Sequence, residues 1–218
     1  MTRIKICGLK YFEDAMTAAW EGADFLGFIL SAGFGRSVRP EDVLAIRGKV
    51  LAGLAGEAKK PKFVGVFVDD SIEYIADLFN KGIIDIAQLH GDETEEYIAS
   101  LREKIPEDAG IWKVFLVRGA EEIEKARRSP ADMVLLDSGI GGTGKTFDWS
   151  LLQNMTRPFI LAGGLDPVNV GESVARINPW CVDTSSGVEE KDGEKGKKKA
   201  EKIVLFIRNV WLNSNLAE

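Results

Sequence analysis

The chain has 218 residues, of which 45% are hydrophobic and 28% are charged, and its formal net charge is −6 at pH 7. This composition is typical of a globular protein with one sizeable core or two small ones. The acidic balance argues against nucleic-acid binding as the main function.

The two cysteines, Cys7 and Cys181, lie far apart in the sequence, so they form neither a metal-ligand spacing nor a disulfide framework. The N-terminal residues contain no unbroken apolar segment of signal-peptide length. No stretch approaches the roughly 18 apolar residues that cross a bilayer. We therefore expect a cytoplasmic protein with no membrane partner, and we expect Cys181 to be a core residue.

Short apolar runs alternate along the chain with segments whose apolar residues recur at helical spacing. The predicted strands are residues 3–7, 25–30, 62–68, 86–90, 111–117, 133–137, 159–162 and 180–183. The predicted helices are residues 12–20, 40–54, 72–81, 93–103, 121–128, 148–154, a helix capped by Asp166 with Pro167 in its first position, and 198–212. Ser71 is the expected N-cap of the third helix.

Strands that alternate with helices indicate a parallel sheet. Eight such pairs predict a closed (β/α)8 barrel, a TIM barrel, formed by residues 1–218 as a single domain. An open, doubly wound sheet is the alternative, and periodicity does not separate the two.

Reactive side chains fall where these strands end. Cys7, His90, Asp137 and Asp183 end or nearly end a predicted strand, and Arg36 lies in the loop after the second. The active site of a (β/α)8 barrel lies at the C-terminal ends of its strands. Glycine- and serine-rich segments follow strands six, seven and eight, and the loops after the last two commonly bind phosphate. The sequence therefore predicts one polar rim that binds a small phosphorylated molecule.

Residues 139–146 (GIGGTGKT) match the P-loop pattern G-x-x-x-x-G-K-[ST], between a predicted strand and a predicted helix. A P-loop nucleotidase is therefore a competing hypothesis. It requires Mg²⁺ and an acidic residue on a neighbouring strand. It would leave Cys7, Arg36 and His90 without a role.

Taken in chain order, a set of short segments resembles the phosphoribosylanthranilate isomerase family. The segments are residues 5–8 (KICG), 27–28 (GF) with Arg36, 64–68 (VGVFV), 88–91 (QLHG), 135–137 (LLD) with 141–149 (GGTGKTFDW), 162–165 (AGGL) with Pro167, Asn169 and Val170, and 183–189 (DTSSGVE). The resemblance covers almost the whole chain.

The resemblance implies a (β/α)8 barrel that needs no cofactor and no metal. It implies conversion of N-(5-phosphoribosyl)anthranilate into 1-(2-carboxyphenylamino)-1-deoxyribulose 5-phosphate, an Amadori rearrangement in tryptophan biosynthesis. By the same resemblance, Cys7 is the general base, Asp137 the general acid, and Arg36 the partner of the anthranilate carboxylate.

The residue types suit this chemistry. Asp137 must hold a proton near neutral pH, which burial favours. Cys7 must lose its proton, so we expect nearby positive charge to lower its pKa, and Lys5 on the same strand face is the candidate. Backbone N–H groups at glycines approach phosphate without a side chain in the way. We assign the phosphate to Gly142, Gly144, Gly163, Gly164, Ser186 and Gly187.

Two interpretations stay open at the rim. His90 either contacts the substrate or is a hydrogen-bonded structural residue. Asp183 either contacts the substrate or positions Cys7 or Lys5. Both are taken as candidate substrate-binding residues.

One segment departs from the family pattern. The family opens its last helix with Gly-x-Lys-Asp, whereas here Lys199 stands in the place of the acid. Either Asp192 serves instead or the acid is absent. The basic run of residues 195–202 is interpreted as a solvated helix face.

Two further functions are alternatives, and one property stays undetermined. Another phosphate-binding barrel, such as indole-glycerol-phosphate synthase, would need a lysine and glutamate pair at strand ends, and no convincing pair is present. A barrel that only binds its ligand would not need both Cys7 and Asp137. The sequence is compatible with a monomer or a homodimer.

Overall fold

The structure, a computed structural model, describes residues 1–138, 148–190 and 192–214. Eight parallel strands pair in chain order, and β8 pairs back with β1, so the sheet is a closed barrel. The prediction of a (β/α)8 barrel is confirmed, and the open doubly wound sheet is wrong. That residues 1–218 form one domain stays a prediction.

The strands are β1 Arg3–Ile6, β2 Phe25–Ile29, β3 Lys62–Phe67, β4 Ile86–Leu89, β5 Gly110–Leu116, β6 Met133–Asp137, β7 Phe159–Leu161 and β8 Cys181–Thr184. The α-helices are α1 Phe12–Trp20, α2 Pro40–Gly53, α3 Ile72–Asn80, α4 Glu95–Arg102, α5 Ala120–Arg128, α6 Val170–Ile177 and α7 Ala200–Ser214. Two 3-10 helices, Trp149–Asn154 and Ser186–Val188, follow β6 and β8. Every predicted strand end lies within one residue of the observed end.

The helix after β4 begins later than predicted because Glu93 has another role. The Glu93 carboxylate accepts hydrogen bonds from the backbone N–H groups of Asp69 and Gly91. Thr94 is the N-cap instead, and its hydroxyl accepts from the N–H of Tyr97 at 3.2 Å. The predicted N-cap of α3 is confirmed, since the Ser71 hydroxyl accepts from the N–H of Tyr74.

Three other helix predictions are corrected. The Asp166 carboxylate accepts from the N–H groups of Val168 and Asn169, at 2.7 and 3.0 Å, and so closes a turn before the helix. As a result α6 begins at Val170 rather than at Pro167. The predicted helix after β6 is a 3-10 helix capped by Asp148. The last helix begins at Ala200, two residues later than predicted.

Alternate side chains of each strand point into the barrel, and the others pack against the helices. Towards the N-terminal ends the interior holds an apolar cluster that includes Phe25, Ile86, Trp112 and Ile160. The rings of Phe25 and Trp112 meet edge to face with centroids 4.9 Å apart. Buried polar side chains follow towards the C-terminal ends of the strands, and they form the floor of the site. Among the described residues, no helix has the length and apolar character needed to cross a membrane.

Candidate active site

A cavity of about 460 Å³ opens at the C-terminal ends of the strands. The predicted site residues that line it are Cys7, Arg36, His90, Asp137, Gly163, Gly164, Asp183, Ser186 and Gly187. The tertiary structure therefore brings together every predicted site residue that it describes. The predicted phosphate contacts Gly142 and Gly144 lie outside the described residues.

Cys7 follows β1 and lies beside an ion pair buried inside the barrel. Lys5 Nζ and Asp183 Oδ1 are 2.9 Å apart, and the Lys5 side chain is fully buried. β1 and β8 place them side by side, since Lys5 is the register partner of Asp183. Gly27 leaves room for both neighbours, because a Cβ atom there would lie 2.8 Å from Cys7 Sγ and 3.1 Å from Lys5 Cε. Asp183 therefore fixes the ammonium group of Lys5 next to the thiol.

The expected lowering of the Cys7 pKa is wrong for this site. Burial raises the pKa of the Cys7 thiol, Lys5 opposes this, Asp183 adds to it, and the resulting pKa lies above the ordinary value. Burial also acts to lower the pKa of Lys5, but Asp183 and Cys7 more than offset it, and the Lys5 pKa is raised. Lys5 is therefore the expected cation, but its charge does not outweigh the burial of the thiol.

Arg36 belongs to a second charged cluster at the rim. Its Nε and Nη2 contact the two carboxylate oxygens of Glu189, at 2.5 and 3.0 Å. Lys198 Nζ contacts Glu189 Oε1 at 3.0 Å and the carbonyl oxygen of Ser185 at 3.0 Å. Burial raises the pKa of Glu189, but Arg36 and Lys198 outweigh this effect and the resulting pKa is lowered. The carboxylate thus holds two cations, Arg36, which lines the cavity, and Lys198, which is buried.

Lys198 is the site residue that the sequence interpretation missed. The basic run was interpreted as solvated, yet Lys198 is only 1% exposed. Its Nζ lies near Gly8, where a Cβ atom would be 3.6 Å away from it, and its charge acts to lower the pKa of the preceding residue, Cys7. The Gly-x-Lys pattern at residues 196–198 was the available signal. Lys195, from the same run, lines the cavity itself.

The entry of the last helix is fixed by an acid from another part of the chain. The Asp14 carboxylate in α1 accepts from the backbone N–H of Lys198 at 2.9 Å and from Lys197 Nζ at 3.0 Å. Asp192 is exposed. The acid that contacts the backbone just before α7 is thus Asp14, which lies 184 residues away from Lys198 in the sequence.

Asp137 ends β6 against the loop after β7. A Cβ atom at Gly163 would lie 2.8 Å from Asp137 Oδ1 and 2.4 Å from the backbone nitrogen of Ser138. Gly163 also has φ +90°, a conformation that disfavours side chains. A side chain is equally excluded at Gly187, where a Cβ would lie 2.0 Å from the carbonyl oxygen of Leu165. Gly163 therefore brings its backbone against the carboxyl group of Asp137, and Gly187 brings its backbone against Leu165.

His90 follows β4 and lines the same cavity. Burial lowers its pKa, the charge of Asp137 opposes this, and the pKa remains below the ordinary value. Burial therefore favours the neutral form of the imidazole. Within the part of the chain that the structure describes, no group of three or more His, Cys, Asp or Glu residues is arranged to hold a metal ion.

The chain is similar in sequence to one family of known proteins. Residues 4–209 match the family model of N-(5′-phosphoribosyl)anthranilate (PRA) isomerase. A relative of that name from Endomicrobium trichonymphae is 39% identical over 214 residues, which is 96% of this chain and all of the relative. One from Caldanaerobacter subterraneus subsp. tengcongensis is 36% identical over 93% of this chain and 98% of its own.

Solved structures agree. The chain superposes on phosphoribosylanthranilate isomerase from Thermotoga maritima with a TM-score of 0.83 and 34% identity, covering 97% of this chain and 99% of that one. Another phosphoribosylanthranilate isomerase, in complex with reduced 1-(o-carboxyphenylamino)-1-deoxyribulose 5-phosphate, matches with a TM-score of 0.79 and 33% identity over the same shares.

Proposed function

The chain belongs to the N-(5′-phosphoribosyl)anthranilate isomerase family, and we infer that it uses Cys7 as general base and Asp137 as general acid. It is an aldose–ketose isomerase of tryptophan biosynthesis. It converts N-(5-phosphoribosyl)anthranilate into 1-(2-carboxyphenylamino)-1-deoxyribulose 5-phosphate. The observation that supports the two roles is that both side chains line one cavity together with exposed glycine backbone.

The first step assigned to the enzyme opens the sugar ring. The Asp137 carboxyl group gives its proton to the furanose oxygen, the bond between that oxygen and C1 breaks, and the nitrogen lone pair forms the Schiff base. A positioned acid of this kind typically accelerates a reaction by about 10²- to 10⁴-fold.

The second step moves the proton from C2. Cys7 as thiolate takes that proton, the electrons of the C2–H bond form the enolamine, and tautomerisation gives the ketose. The Lys5 ammonium group supports the thiolate because it is buried beside the sulfur and held by Asp183. Lys198 adds a second cation that lowers the thiol pKa. Asp183 in this scheme positions Lys5.

The substrate phosphate is assigned to the loops after β7 and β8. Gly163 and Gly164 have φ values of +90° and +69°, and together with Ser186 and Gly187 they line the cavity. Backbone N–H groups at such turns bind anions well. The contribution of Gly142 and Gly144 is proposed on the family resemblance alone.

Arg36 and His90 are assigned to the anthranilate half of the substrate. The ion pair with Glu189 fixes the guanidinium plane at the rim, and a fixed guanidinium recognises a carboxylate with little loss of freedom. A neutral His90 offers one hydrogen-bond donor and one acceptor, and it repels neither the anthranilate carboxylate nor the guanidinium of Arg36. Arg36→Met is expected to raise KM with little change in kcat, and a fall in kcat at constant KM would contradict this role.

The roles of Cys7 and Asp137 are tested by turnover, following the loss of phosphoribosylanthranilate fluorescence. Cys7→Ser and Asp137→Asn should each lower kcat by about 10³-fold or more while the unfolding midpoint stays within a few degrees. Cys181→Ser, a buried cysteine away from the cavity lining, is the matched control. Near-full turnover by either site variant would refute its assignment.

The same assay distinguishes the isomerase from the P-loop hypothesis, because only a P-loop nucleotidase requires Mg²⁺. For the isomerase, addition of EDTA should leave turnover unchanged. Loss of activity that Mg²⁺ restores would favour that hypothesis. We also propose a cytoplasmic location, which cell fractionation tests. For assembly we propose a monomer or a homodimer. One related solved structure describes monomers of a dimeric enzyme from Thermotoga maritima, and light scattering tests the proposal.

A further inference from the structure

The side-chain amide oxygen of Gln88 is buried at the cavity and has no hydrogen-bond partner among the described residues. Gln88 is in β4 and lines the cavity together with Cys7 and Asp137. The residue is 1% exposed, and its Oε1 atom has no hydrogen-bond partner among the described residues. Strand alternation points Gln88 inward with Ile86 below it and His90 above it.

Packing of the barrel does not account for this amide. A buried polar group without a partner is destabilising, and folded proteins rarely contain one. The other polar side chains at this depth, Lys5 and Asp183, pair with each other at 2.9 Å. An apolar residue of the same length would fill the position of Gln88 without leaving an amide unsatisfied. The amide is therefore best explained by a partner that arrives with the substrate.

The position of β4 in the barrel indicates which part of the substrate arrives there. In the closed strand order, β4 lies opposite β8. It belongs to the part of the barrel wall that runs from β1 to β6 without passing through β7 and β8. A sugar phosphate bound at the loops after β7 and β8 and held between Cys7 and Asp137 extends towards that wall. The groups it presents along its carbon chain are hydroxyls.

We propose that Gln88 is a substrate-binding residue whose amide hydrogen-bonds a hydroxyl of the phosphoribosyl group, an inference that rests on the proposed function. A hydroxyl both donates and accepts, so it satisfies the amide oxygen or the amide nitrogen, whichever faces it. The uncharged amide suits a hydroxyl better than the phosphate or the carboxylate, which the proposed function assigns to backbone amides and to Arg36. The contact fixes the rotation of the sugar between acid and base.

The test compares stability with activity in Gln88→Met, which keeps the length of the side chain and removes both polar atoms. Without ligand, its unfolding midpoint should equal or exceed that of the wild type, because an unsatisfied amide is removed. Its kcat/KM should fall by about tenfold or more, because the substrate hydroxyl loses its partner. Ile86→Met, one inward position lower on the same strand, should leave kcat/KM unchanged.

Affinity measurements identify the sugar hydroxyl that contacts Gln88. The probe is reduced 1-(o-carboxyphenylamino)-1-deoxyribulose 5-phosphate, compared with analogues in which one sugar hydroxyl at a time is replaced by hydrogen. Gln88→Met should weaken binding of the full compound and leave the affinity for one deoxy analogue unchanged.

An equal loss for every analogue, an unchanged kcat/KM, or a Gln88→Met protein that unfolds more easily than the wild type would overturn the inference. Failure of the wild type to turn over phosphoribosylanthranilate would instead overturn the proposed function, so the two failures are distinguishable.

Discussion

The two ends of the barrel interior are built from opposite kinds of side chain. Towards the N-terminal ends of the strands, Phe25, Trp112 and Ile160 pack on one another in an apolar cluster. Towards the C-terminal ends, the interior holds the buried Lys5–Asp183 pair and the Oε1 atom of Gln88, which has no hydrogen-bond partner in the described part of the chain. Burial of apolar surface stabilises the fold, whereas burial of charges and amides opposes it. The comparison indicates that one end supplies stability and the other retains destabilising groups because the reaction uses them.

The largest effect is expected at the polar end, from Lys5→Met. Removing one partner of a buried ion pair leaves the Asp183 charge uncompensated, and we expect the unfolding free energy to fall by about 3–5 kcal/mol. Turnover should also be lost, because the thiol of Cys7 loses the cation beside it. Denaturant unfolding and the fluorescence assay measure the two effects separately.

The double variant Lys5→Met/Asp183→Leu is the control for this first prediction. Replacing both charges with apolar side chains should recover most of the stability while turnover stays lost. An active double variant would show that the reaction does not need the buried pair. It would contradict the conclusion that the polar end of the barrel retains these charges for the reaction.

A smaller effect is expected at the apolar end, from Ile160→Val. Ile160 is fully buried in the lower cluster. Removing one methyl group there should lower the unfolding free energy by about 0.5–1.5 kcal/mol. At temperatures where the variant is folded, kcat/KM should match that of the wild type. A clear fall in kcat/KM would show that the lower cluster also shapes the site.

The smallest effect is a change in pH dependence at the polar end. Because burial raises the Cys7 pKa and the base is the thiolate, kcat/KM of the wild type should rise as pH increases towards that pKa. Lys198→Met removes a cation that lowers the Cys7 pKa, so the rise should move to higher pH. Lys199→Met, an exposed neighbour in the same basic run, is the matched control. Coincident profiles for the three proteins would contradict the role of Lys198.

The same proton links pH to stability with a defined sign. The folded protein holds the Cys7 proton more tightly than the unfolded chain, so unfolding releases it more readily as pH rises. This contribution to stability is full below the ordinary thiol pKa of about 8.5 and declines as pH rises through the folded value. Denaturant unfolding of the wild type and Cys7→Ser across this range measures it.

The residues that the sequence located correctly are those whose position depends on strand alternation and strand ends. Cys7, Asp137 and Asp183 were placed on one rim because parallel strands of a barrel all end there. The helix starts were less predictable. Glu93 pairs with Lys113 at 2.9 Å instead of beginning α4, and only the neighbouring strand shows that a partner is within reach.

The amino-acid sequence by itself determined the order of strands and helices and the side chains that stand at the strand ends, because both follow from local periodicity. Only the tertiary structure decided the environment of each side chain. Asp14 fixes the backbone of Lys198, which is then buried beside Glu189, whereas the Oε1 atom of Gln88 has no hydrogen-bond partner among the described residues. Burial and pairing depend on contacts between residues far apart in the chain, and no local pattern encodes them.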